Sequence, residues 1–158
     1  MNSKAIFLIS ALLIGGCATE PKRAPVCSGD TILGCKPVVY FAEGSDVIAS
    51  DQKETLEWTY NKLTRWPRKH IKVTGHTDSR GHPDENLRLS KNRAMAIKKY
   101  FISRGIDADR IVIDFKGEAE RVCVTSKCYE LNRRAEIEFF SKISEWNVSE
   151  WTSGSSTK

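Results

Sequence analysis

The 158-residue chain has no apolar run long enough to cross a bilayer as a helix; its longest, Ala5 to Ile14, is half of the ~20 residues required. It has little excess of either charge. Lys and Arg number 25 against 20 Asp and Glu, a net +5 with the signs alternating along most of the chain, so composition gives no argument for nucleic acid. Histidine is scarce: His70, His76 and His82 stand six apart, a spacing that fits neither one helix face nor a common metal motif. There is no Gly-rich phosphate loop, no Ser-His-Asp arrangement and no paired carboxylates in a credible cleft, so no catalytic set is legible, no cofactor is expected, and the chain reads as a non-enzyme. What remains, 40% hydrophobic and 28% charged residues, suits one packed domain. It also holds five cysteines.

The N-terminus comes first. Lys4 is the only charge before Glu20, and the apolar run ends in Gly15-Gly16-Cys17. A positive start, a short apolar core and small residues at its end describe an export signal. Ile14-Gly15-Gly16-Cys17 resembles the lipobox of bacterial lipoproteins. The resemblance implies cleavage after residue 16 and acylation of Cys17, with several acyl chains anchoring far more firmly than one. Ala18, where an Asp would retain such proteins at the inner membrane, points to the outer membrane. Four cysteines then remain for an oxidising compartment. Of the three pairings that four cysteines allow, neighbours in sequence favour Cys27–Cys35 and Cys123–Cys128. Spacings of eight and five suit neither thioredoxin-like redox pairs nor zinc knuckles.

The mature chain divides at its prolines. Residues 17–37, with Pro21, Pro25 and Pro37, read as the lipidated Cys and a periplasmic tether; residues 38–142 as the domain; residues 143–158, with Trp146 and Trp151, as a C-terminal tail. Within the domain, Val38 to Phe41 is strand-like. Ser50 is placed to cap a helix carrying Leu56, Tyr60 and Leu63 on one face and ending at Trp66-Pro67. Ile71 to Gly75 alternates as a second strand. A polar loop is expected from His76 to about Leu89, then a helix capped by Ser90 and closed by Gly105-Ile106. Ile111 to Ile113 and Ala135 to Phe140 complete four strands. The order β-α-β-α-β-β indicates an α+β fold, a two-layer sandwich with both helices packed on one mixed sheet.

One constellation carries chemistry. Asp78 follows a strand end, where loops gather function. Arg93, three residues into the helix expected from Ser90, would oppose the helix dipole unless an anion sat against it. An acid and a base across a groove capture a zwitterion, the acid taking the ammonium and the arginine the carboxylate; alternatively, Asp78 and Arg93 pair with each other.

Gly75-His76-Thr77-Asp78-Ser79-Arg80-Gly81, Asn86, Leu89-Ser90, Arg93-Ala94, Gly105-Ile106 and Asn132-Arg133-Arg134-Ala135-Glu136-Ile137 together resemble the C-terminal domain of the OmpA family. Val39-Tyr40-Phe41 and the lipobox are most similar to its peptidoglycan-associated lipoprotein branch. The resemblance spans about residues 38–140. It implies non-covalent binding of peptidoglycan through the diaminopimelate of the stem peptide, with Asp78 and Arg93 as the two holding side chains and Thr77, Asn86 and Leu87 in the loop that shapes the pocket. The first loop, Gly44 to Asp46, borders that pocket, although the Asp usual after the first strand is Ala42 here. Arg133 and Arg134 match the family pattern and are read as mainly architectural, and His76 is expected to orient the loop by hydrogen bonding. The branch implies an outer-membrane lipoprotein anchoring that membrane to the wall, with periplasmic Tol proteins as further partners. The alternative is a Tol-type protein-binding adaptor with little wall binding of its own.

Overall fold

A computed structural model describes residue 32 and residues 34–141. The lipobox, Cys27 and the tail beyond Ser141 lie outside the described residues. The chain runs β1 (Val38–Tyr40), α1 (Lys53–Arg65), β2 (His70–Gly75), α2 (Pro83–Ser103), β3 (Ile111–Phe115) and β4 (Arg134–Phe140). The sheet is ordered β1-β4-β2-β3. β4 sits antiparallel between β1 and β2, and β3 runs parallel to β2, Val73 opposite Ile113. This is a two-layer α+β fold with one mixed sheet.

The core follows the sequence periods. Ile71 and Val73 of β2, Ala135 and Ile137 of β4, and Val39 of β1 alternate inward. Leu56 and Leu63 of α1 and Ala94, Ile97 and Phe101 of α2 meet them and are fully buried. Each large apolar side chain there contributes roughly 1.5–3 kcal/mol relative to exposure. α1 ends at Arg65, with Trp66 as its cap residue ahead of Pro67. At the end of α2, Gly105 takes a left-handed φ of 88°. Its N–H donates to Ile102 O, and the N–H of buried Ile106 donates to Phe101 O at 3.1 Å. That paired closure is the Schellman stop.

Two helix starts differ from expectation. Ser50 opens a single 3₁₀ turn, Ser50–Gln52, whose cap residue Ala49 makes no side-chain bond, and α1 begins at Lys53. The larger change is in α2, which starts seven residues earlier than Ser90. His82 is its N-cap, Pro83 is its first residue, and Asp84 and Glu85 fill the first turn. Pro at the first position and acids beside it are stronger start signals than an isolated serine. Ser90 therefore lies inside the helix, fully buried. Its hydroxyl donates to Leu87 O at 2.7 Å and accepts the Gly117 N–H at 3.0 Å.

Candidate functional site: a charged cleft at the strand ends

β1 and β2 end, and β4 begins, at the same edge of the sheet. The loops leaving them enclose a cleft of about 540 Å³. Four carboxylates line it (Glu43, Asp46, Asp78 and Glu85) with four arginines (Arg80, Arg88, Arg93 and Arg133). A cavity with balanced opposite charges suits a ligand that carries both.

Arg93 is the largest fully buried side chain among the described residues. It sits in the middle of α2, not in its first turn, so the dipole argument for an anion beside it does not apply. Its position is fixed by three backbone carbonyls. Nε donates to Ser45 O at 2.9 Å, one Nη to His76 O at 2.8 Å and the other to Ala42 O at 3.1 Å. The guanidinium also lies 5.3 Å from the Phe41 ring centre. Arg93 thus ties the first loop to the end of β2. Burial pushes its pKa down to about 10, while the charge of Asp78 pulls it back up. Each Nη keeps a second N–H beyond the one bonded, and Arg93 lines the cleft.

Asp78 is 6% exposed. Its carboxylate accepts from Arg80 Nη2 at 2.7 Å, from the Arg80 backbone N–H at 3.1 Å and from Arg133 Nη1 at 3.3 Å. Its hydrogen bonds therefore come from Arg80 and Arg133, not from Arg93. Burial raises the Asp78 pKa, but the bonds from Arg80 and Arg133 outweigh it and hold the group below the ordinary carboxylate value. Arg80 also reaches Glu43 at 2.8 Å and stacks its guanidinium 5.4 Å from the Tyr129 ring centre.

Thr77 is 2% exposed and lines the cleft. Its hydroxyl is buried without a hydrogen-bond partner, while its backbone N–H donates to Gly117 O at 2.8 Å. An unpaired buried hydroxyl on a residue that lines the cleft costs free energy until it gains a partner. Asn86 lines the cleft too, and its side-chain amide donates to Glu118 Oε2 at 2.6 Å, pinning α2 to the loop after β3. Leu87 is not brought to the cleft. It is 43% exposed and borders a separate depression with Phe115; Leu89 lines the cleft instead. With α2 beginning at Pro83, residues 86 and 87 are helical and point apart, where a loop could have turned both inward.

His76 also differs from expectation. Both ring nitrogens are buried without hydrogen bonds, Nε2 lying 4.0 Å from Glu136 Oε1, so no side-chain hydrogen bond of His76 orients the loop. The backbone does that, donating to Arg134 O and accepting from Arg93. Burial and the Arg134 charge push the His76 pKa down to about 4.

Sequence reasoning missed Arg80 and Glu43, and read Arg133 as mainly architectural. Arg133 does brace the fold, donating Nε to Phe41 O at 3.3 Å, yet it also meets Asp78 in the cleft. Arg80, two residues past Asp78, carried the signal: an Asp-x-Arg turn lets the carboxylate accept both backbone and side chain of the arginine. Beside the cleft, Cys123 and Cys128 form a disulfide with 6.0 Å between their Cα atoms. Asn132 binds its loop, accepting the Val122 and Cys123 N–H groups and donating to Cys123 O. Cys35 is also disulfide-bonded, and the Cys27–Cys35 pairing expected from sequence lies outside the described residues.

Comparison with known proteins follows the same architecture. A family model described as OmpA family matches residues 40–135. A peptidoglycan-associated lipoprotein of Brucella melitensis is 32% identical over 148 residues, covering 83% of this chain and 88% of its own. One from Agrobacterium fabrum is 30% identical over 152 residues, 85% of each. Among solved structures, the peptidoglycan-associated lipoprotein from Burkholderia pseudomallei is similar with a TM-score of 0.63 at 25% identity, covering 66% of this chain and 90% of that one.

Proposed function

This chain belongs to the OmpA family, and on that premise we propose that it binds peptidoglycan without covalent chemistry, through the diaminopimelate of the stem peptide. The relatives named peptidoglycan-associated lipoprotein support the wall as target. The observation that carries the ligand assignment is the cleft itself: a buried carboxylate, a buried guanidinium and an orphan buried hydroxyl on the wall of one cavity.

The side-chain centre of diaminopimelate carries an ammonium and a carboxylate. Asp78, ionised and already a receptor for cations, takes the ammonium in place of part of its contact with Arg80. The remaining Nη hydrogens of Arg93 and the Thr77 hydroxyl take the carboxylate. Asn86 holds the wall through Glu118 and does not need to touch ligand. No bond is made or broken; the protein is a binding domain. With Cys17 acylated, it would sit on the periplasmic side of the outer membrane and tie that membrane to the wall, many weak grips acting together on one polymer.

Co-sedimentation of the chain with purified sacculi tests this. Wild type is expected to pellet with the sacculi, and Asp78→Asn, which keeps the shape and removes the charge, to remain in the supernatant. A folded Asp78→Asn that pellets like wild type would overturn the assignment.

A further inference from the structure

The cleft occupies one end of the sheet; the opposite end carries a second surface. β1, β2 and β3 begin there, β4 ends there, and both helices terminate there. Direct contacts join these termini. Arg110 donates to the carbonyls of Leu63, Trp66 and Lys69 at 2.8 to 3.1 Å, closing the end of α1. The Tyr60 hydroxyl donates to Arg104 O, and the Arg104 guanidinium lies 4.2 Å from the Tyr60 ring centre.

This end is cationic. Residues 64–70 and 99–110 hold Arg65, Arg68, Lys69, Lys99, Arg104 and Arg110 against only Asp107 and Asp109; Glu57, from higher on α1, bonds Arg104. Arg65, Arg68, Lys99 and Arg104 are exposed. Apolar and amphipathic groups lie among them. Ile102 is 41% exposed, and half-buried Trp66 packs against the Lys62 ammonium at 5.3 Å.

The chain's own path argues for what covers this surface. Residues 34–37 enter the sheet from this end, where Pro37 O accepts the Ile137 N–H and Lys36 meets Glu138 at 3.2 Å. Cys17 lies seventeen residues before Gly34, within at most about 60 Å of extended chain. If Cys17 is acylated, as proposed above, the membrane surface is within the tether's reach of this end, opposite the cleft.

We propose that the cationic end docks on anionic phospholipid headgroups of the membrane that holds the anchor. Several Lys and Arg meet the negative surface, Trp66 and Ile102 sit at headgroup depth, and the cleft mouth is turned away from the bilayer. The anchor supplies a high local concentration, so a patch too weak to bind alone can remain docked.

Hydrogen exchange on the acylated full chain tests this, with the chain incorporated into phosphatidylethanolamine–phosphatidylglycerol vesicles or into phosphatidylcholine vesicles. The same anchor holds it to both. Amides of residues 64–70 and 99–110 are expected to exchange on the order of tenfold more slowly on the anionic vesicles, with the difference lost at high salt. The Arg65→Glu/Arg68→Glu/Lys69→Glu variant should lose that protection and still co-sediment with sacculi. Equal exchange on the two vesicles, or protection that survives the triple variant, would overturn the proposal and leave the surface to an acidic protein partner. Failure of sacculus binding alone would strike the wall assignment and not this one.

Discussion

Arg93 shows how a residue can be structural and functional at once. It is buried and satisfies three carbonyls of two loops, so Arg93→Ala leaves those carbonyls unpaired beside a cavity. The expected cost is about 3–5 kcal/mol of stability, measured by denaturant unfolding; a loss under 1 kcal/mol would contradict this role. Binding assays with Arg93→Ala therefore confound loss of fold with loss of ligand, and Asp78→Asn is the cleaner probe. Gly75 is a second sensitive point. A Cβ there would fall inside the Ser90 carbonyl of α2, so Gly75→Ala should cost about 3 kcal/mol or more by forcing strand and helix apart. His76 sets a pH dependence. Its pKa is pushed down from 6.5 to about 4 in the folded chain, so between those values the unfolded chain binds more protons and stability rises with pH. That contribution is fully present above about pH 6.5 and is lost as pH falls toward 4, up to about 3 kcal/mol. His76→Phe should flatten the pH–stability curve in this window; an unchanged slope would show that His76 is not its source.

At the scale of elements, strands were more legible than helix starts. Period-two alternation located β2 and β4 to within a residue, because each side of the sheet must match its surroundings. Helix periodicity marked the buried face of α2 from Ala94 to Phe101, and Gly105 marked its stop. The start was misread because Ser90 has the chemistry of a cap, whereas His82 is an uncommon one; its ring nitrogen accepts only a long bond, 3.4 Å, from Asp84 N–H. That single boundary decided which residues face the cleft: it moved Arg93 from the dipole to the interior and turned Leu87 outward. That Asp78 and Arg93 line one cleft was legible as sequence chemistry, while the Arg80 and Arg133 contacts to Asp78 depend on loop geometry that no periodicity encodes. Cys123 and Cys128 close a short loop between β3 and β4. A six-residue ring contributes about 2 kcal/mol in the chain-entropy account. The Cys123→Ser/Cys128→Ser variant should lose about that much, with exchange rising in residues 121–131 and the sheet amides unchanged. Exchange rising across β4 would show that the loop braces the sheet as well.

The whole molecule has two ends. The ends of β1 and β2 with the start of β4 build a charge-balanced cleft, and the helix termini build a cationic surface opposite it. Strand direction alone produces this separation, since each helix must return the chain to the far edge before the next strand begins. A domain so arranged can face a wall with one end and a membrane with the other. Whether the cleft clasps a zwitterion is decided by a chemical-shift titration of the isotopically labelled chain with a diaminopimelate stem peptide. Saturable shifts at residues 42–46, 77–81 and 93, weaker with the lysine counterpart that lacks the second carboxylate and absent in Asp78→Asn, are the predicted result. Shifts clustered away from those residues, or equal responses to the two peptides, would contradict it.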